Sequence, residues 1–195
     1  KVGFGHQLLM VSLAYRRRSI PIAWDWVKHV RGHSSAKKQI ELFKYVKTLL
    51  PKKATVFLVG DSEFGSIQAV KQLNQWHWFY ALRQKSNTGY RKLVLQCYKR
   101  RMWIEEMFGD LKKHGFDLES TMLRTSEHLS RLTLVVAFLY DWLISAGTKI
   151  VQIGLRHIVD RKDRRDLSLF QIGWRFIDRQ LLRLLPFPLS LCTYL

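Results

Sequence analysis

The segment TVFLVGDSEFG, residues 55–65, constrains the architecture more than any other stretch of the chain. Its apolar run from Val56 to Val59 shows no alternation, so as a strand it is buried on both faces, and it stops at Gly60 and Asp61. A helical pattern over residues 66–75 follows, and then a second strand in WHWFYALR, ending at Arg83. Strand, helix and strand in succession require a crossover, and hence an α/β sheet. Ligands of such sheets gather at the carboxyl ends of the strands, which is where Asp61 stands. A carboxylate between strand and helix also serves as an ordinary turn or cap residue, and both roles stay open at this point.

The flanking sequence fits the same class. QLLMVSLAY and SIPIAW, within residues 7–24, read as two strands joined by the basic turn RRRS, a hairpin. Residues 34–50 place Ile40, Phe43, Val46 and Leu50 at helical spacing behind a serine cap, with Pro51 as the stop. Residues 84–92 form a polar loop, a long apolar helix spans about residues 127–147, and a capped helix runs from Asp166 to Pro186. A chain of 195 residues is of single-domain size. The expected division is a catalytic α/β domain over residues 1–150 and a basic helical extension over 151–195.

Lys and Arg number 33 against 15 Asp and Glu, a formal charge of +18 distributed through the chain, which favours a polyanionic partner without defining the fold. The longest apolar run, LTLVVAFLYDWLISAG from Leu132, contains Asp141 and falls short of a bilayer span, so a buried helix is expected and no membrane partner. Cys97 and Cys192 have neither disulfide-framework nor zinc spacing, and a reducing cytosol is the default location. The seven histidines lack HxH and HExxH spacing. Six tryptophans, Trp24, Trp26, Trp76, Trp78, Trp142 and Trp174, read as packing residues, and the RKDRR run from Arg161 as a solvated charge run or a non-specific DNA contact.

YKRRMWIEEMFGDLKK, residues 98–113, resolves on a helical wheel into three faces. Tyr98, Arg101, Glu105 and Lys112 share a narrow arc of about 60°. Trp103, Ile104, Met107, Phe108 and Leu111 form the core face, and Glu106 falls with Lys99, Asp110 and Lys113 on a solvated arc. Of the two adjacent glutamates, Glu105 is therefore the candidate ligand. The same spacing also describes an exposed edge with helix-stabilising ion pairs.

Tyr98, Arg101, Glu105 and Lys112 at these spacings match the YREK signature of the DDE transposases of the insertion sequence 4 family, and LVGDSEFG and WIEEMFGDLKKHGFDLE resemble the blocks around that family's second and third acidic residues. The resemblance covers residues 7–182. It implies a ribonuclease-H-like mixed sheet flanked by helices, with C-terminal helices. It also implies that Asp61 and Glu105 are catalytic and metal-binding, holding Mg²⁺, for which Mn²⁺ can substitute. Tyr98, Arg101 and Lys112 would bind DNA.

The implied activity is DNA transposition by phosphodiester hydrolysis and strand transfer on double-stranded transposon ends and target. The implied location is the cytoplasm at the nucleoid, and a homodimer on DNA is among the implied assemblies. The family's first Asp precedes the hairpin, whereas Asp25 and Glu41 are the carboxylates that precede Asp61 here and neither is in that place. With Lys1 in place of an initiator Met, a chain starting just after that Asp is expected, with little catalysis of its own. Only about residues 84–97 stand where many relatives carry a large insertion. The alternatives are a catalytically silent DNA-binding remnant and a non-transposing nuclease of the same fold.

Overall fold

The computed structural model describes residues 5–28, 34–83, 92–112, 115–163 and 165–187; the side chains of residues 92–95 and 119 fall outside that description. The polar loop expected at 84–92 lies almost entirely outside it, as do Lys113 and Cys192. Two compact units are present, one of Lys1–Phe108 and Glu119–Ser130, the other of Gly109–Leu118 and Arg131–Leu195.

The first unit begins with the hairpin, β1 (His6–Tyr15) and β2 (Arg18–Lys28), antiparallel and closed by Arg16 and Arg17, both in the left-handed region at φ 46° and 64°. Two successive positive φ values match the right-handed twist of the paired strands. A register shift at Val11/Ser12 accommodates Pro21, which cannot donate a ladder hydrogen bond. The strands alternate faces. Leu9 and Ala23 turn to α1 (Ala36–Leu49), while Leu8, Trp24 and Trp26 turn to Leu123 and Leu129. The Trp24 indole donates to Ser130 Oγ at 3.1 Å.

Ser35 caps α1, which buries Gln39, Leu42, Phe43 and Val46. The expected stripe through Ile40 is thus displaced by one residue, and a glutamine takes a core position because its amide has partners there (below). β3 (Phe57–Gly60) continues through α2 (Ile67–Gln75), capped by Ser66, into the parallel strand β4 (Phe79–Leu82). Leu42, Phe43, Val46, Leu73, Trp78 and Leu82 join Leu9 and Ala23 in one core cluster, so hairpin and crossover share α1 as a backing. The architecture is mixed α/β. Among the described residues the strands form two separate pairs rather than one mixed sheet. β3 is accordingly not a strand buried on both faces: Phe57 is 55 % exposed and stacks on Phe79 at 4.8 Å.

α3 (Lys92–Lys99) lies against β3 and β4, and α4 (Met102–Lys112) follows it. The second unit is built on α5 (Ser126–Gln152) from Arg131 onward and α6 (Leu169–Leu182), whose Ser168 and Gln171 form a reciprocal capping box two residues after the expected start at Asp166. α5 does not end at Gly147. There the two helices touch backbone to backbone: a β-carbon on Gly147 would lie 2.0 Å from the Leu169 carbonyl oxygen, and one on Gly173 would lie 1.9 Å from that of Leu143. Tyr140 and Phe116 pack on Phe170 beside the crossing. α5 is long and apolar enough to cross a membrane by length and composition, yet half of that window is buried within the protein.

Candidate active site

Asp61 follows β3 directly and opens a single 3₁₀ turn, Ser62–Phe64. Its Oδ1 accepts from the Ser62 amide at 2.7 Å, so it acts as the cap of that turn, while its second oxygen has no partner among the described residues. The turn is fixed from within by Glu63, which no spacing in the sequence marks. Glu63 Oε1 accepts from the Ser34 amide at 2.8 Å and the Ser34 hydroxyl at 2.6 Å, and also from Gln7 Nε2 at 3.2 Å. Gln39 Nε2 donates to Ser34 Oγ at 2.9 Å and to the Glu63 carbonyl at 3.2 Å. The carboxylate thereby joins β1, the start of α1 and the turn carrying Asp61. Periodicity could not reveal it, because all three donors lie 24 or more residues away. The one local signal was Gln39, a polar residue at helical spacing from Leu42, Phe43 and Val46.

The YKRRMWIEEMFGDLKK segment is two helices, not one. Between them the amides of Arg101 and Ile104 donate three residues back, to Tyr98 and Arg101 carbonyls at 2.9 and 3.1 Å, tightening the chain to 3₁₀ geometry. The intended neighbours still meet. Arg101 Nη1 pairs with Glu105 Oε1 at 2.5 Å, and the guanidinium carbon sits 5.4 Å from the centroid of the Tyr98 ring. The Arg101 side chain is 17 % exposed, whereas that of Glu105 is 43 % exposed. Tyr98 Oη and Arg101 Nε are buried with no hydrogen-bond partner among the described residues.

Three of the four signature residues are thus assembled around the guanidinium. Lys112, half-buried, is two turns beyond Glu105 on α4, in the stretch that belongs to the second unit. Glu106 is exposed, as expected. Asp110, expected beside it in solvent, is instead 4 % exposed, and the solvated arc is correspondingly narrower.

The two carboxylates that precede Asp61 are engaged elsewhere. Asp25 lies within β2, not after it, and both Asp25 and Glu41 pair with Lys38, at 3.5 and 3.4 Å. Asp25 first, then Glu41, pushes the Lys38 ammonium above its ordinary value. Both carboxylates therefore already face a cation, Lys38. Arg83 is exposed, with its amide on the Gly60 carbonyl at 3.2 Å.

Asp61 and Glu105 offer the hard carboxylate oxygens that suit Mg²⁺. Among the described residues, however, no group of three or more His, Cys, Asp or Glu side chains comes together.

Compared with known proteins, residues 26–142 match the family described as "Transposase DDE domain". No curated protein and no solved structure matches the chain.

Proposed function

Because the chain belongs to the transposase DDE domain family, we propose that it is the catalytic part of an insertion sequence transposase of the YREK type, with Asp61 and Glu105 as two of its three acidic residues. The observation that carries this reading is Arg101, held between the Tyr98 ring and Glu105. A cation fixed beside a carboxylate supplies both halves of a phosphodiester site: one group for the phosphate oxygens and one for a hard metal ion.

Arg101 and Lys112 would hold the transposon-end backbone, and Tyr98 would orient Arg101. The donors of Tyr98 Oη and Arg101 Nε lack acceptors at a cost of about 1–3 kcal/mol each, which a phosphate oxygen would relieve once the strand is engaged. Glu105 and Asp61 would hold Mg²⁺ or Mn²⁺, which supplies activation of the attacking water or DNA 3′-hydroxyl and stabilisation of the leaving oxygen. Glu63 would keep the turn bearing Asp61 in place.

The proposed arrangement is ribonuclease-H-like, with one further strand between β1 and β3 bearing the third carboxylate. Gln7 of β1 donates to Glu63 just after β3, so the hairpin and the crossover lie side by side. The proposed setting is the cytoplasmic nucleoid. Residues 1–195 joined to such a strand are expected to cleave inverted-repeat ends with Mg²⁺; Glu105→Ala abolishes the cleavage and Glu106→Ala leaves it. Equal loss from both substitutions would overturn the assignment.

One observation favours a second reading, a silent DNA-binding remnant: no cluster of three metal-ligating side chains forms among the described residues. That reading requires DNA binding that falls steeply with salt and no metal-dependent strand breaks.

A further inference from the structure

The second unit carries a cavity of about 480 Å³ where α5 ends, lined by Val151, Gly154, Arg156, His157, Lys162 and Arg165. Three of these six are permanent cations and none is acidic. Of the carboxylates in the same segment, exposed Asp163 stands between Lys162 and Arg165 in sequence and lines neither cavity. Asp160 and Asp166 line a separate cavity of about 220 Å³ together with Arg161 and Arg175.

The walls are held by specific bonds. Asp160, 7 % exposed, holds the Arg156 guanidinium through Nε and Nη2, each at 2.6 Å. Arg179 Nη1 donates to the Ile158 carbonyl at 2.9 Å and pins the segment to α6. His157 Nδ1 lies 3.1 Å from the Gly154 carbonyl, so this nitrogen carries the proton. Gly154 has φ 76°, and a β-carbon there would meet nothing within 4 Å, so the mouth is open and the backbone favours glycine. Lys162 and Arg165 are exposed and have no partner among the described residues.

We propose that this cavity is a second nucleic-acid contact, taking the phosphodiester backbone of duplex DNA through Lys162 and Arg165 on a wall set by Arg156 and Asp160. Arg156 is largely neutralised by Asp160, so the attraction comes from the other two cations. A phosphate contact of this type carries no base information and adds about one unit to the salt slope of binding per cation. It is independent of the Tyr98–Arg101–Glu105 site, and it stands or falls whether or not the chain transposes DNA.

The test is fluorescence anisotropy of the full chain on a duplex of unrelated sequence, about 30 base pairs long, over a salt series. Lys162→Ala with Arg165→Ala is compared with Arg161→Ala with Arg175→Ala. All four residues are exposed, and each pair removes two charges. The first pair is expected to weaken binding roughly tenfold and to lower the slope by about two, while the second changes both much less. Equal effects from the two pairs would mean that only net charge counts and would overturn the proposal. A first pair that leaves DNA binding intact but abolishes binding to phosphatidylglycerol vesicles would overturn it in favour of a lipid headgroup.

Discussion

The two units are held together by opposite means. The first relies on a polar knot: one carboxylate, Glu63, receives Ser34 and Gln7 and so ties a strand, a helix start and a turn. The second relies on the absence of side chains, with Gly147 and Gly173 letting α5 and α6 meet at their backbones. A polar knot can lose one bond and keep the rest, whereas a backbone contact has no rotamer with which to yield. The difference predicts how each unit fails.

The largest effect is expected at the crossing. Gly173→Val puts a branched side chain against the Leu143 carbonyl, and the helices must separate. We expect a loss of about 3 kcal/mol or more by urea denaturation, with Gly147→Val comparable. A second unit unchanged by Gly173→Ala would break the comparison. Next is Glu63→Ala, which leaves the Ser34 amide and hydroxyl and the Gln7 amide without their acceptor, at about 2–3 kcal/mol in the same measurement. Glu63→Gln keeps one acceptor oxygen and should cost less than half of that.

Asp141, on α5, sharpens the contrast through pH. Burial pushes its carboxyl up to about 6, from an ordinary 3.8. A folded-state value above the unfolded one means that its contribution to stability is fully present below about pH 4 and is lost as pH rises through about 6. Asp141→Asn should therefore remove a decline in melting temperature between pH 4 and 7 and raise the neutral value. An unchanged slope would show that the group titrates normally. The smallest stability effect is expected at Arg101→Ala, below about 1 kcal/mol, because its partner Glu105 is well exposed. The same variant should nonetheless depress binding to transposon-end DNA, so stability and function separate at this residue.

The sequence was most legible where local chemistry decides. The hairpin, the serine-capped start of α1, and the crossover from β3 to β4 follow from alternation, helical spacing and a serine cap. The meeting of Arg101 with Tyr98 and Glu105 also followed from local spacing, even though the helix is interrupted between them. What stayed hidden depends on distant partners. Glu63 carried no local signal because its donors come from β1 and the start of α1, and Gly147 looked like a helix end because α6 approaches it from 26 residues further on. Asp110 was placed in solvent since a wheel knows only its own helix. The exposure of Phe57 shows the converse: an apolar strand is buried only if neighbours cover it.

The hairpin tip offers a last consequence. Arg16 and Arg17 both adopt a left-handed backbone that costs an ordinary L-residue about 1–2 kcal/mol, and each keeps a positive charge there. The loop thus trades conformational ease for cationic character. Exchanging the pair for Arg16→Asn with Arg17→Gly would reverse that trade, giving a stiffer and more thermotolerant fold with a blunter electrostatic tip, and neither hydrophobic core would be touched.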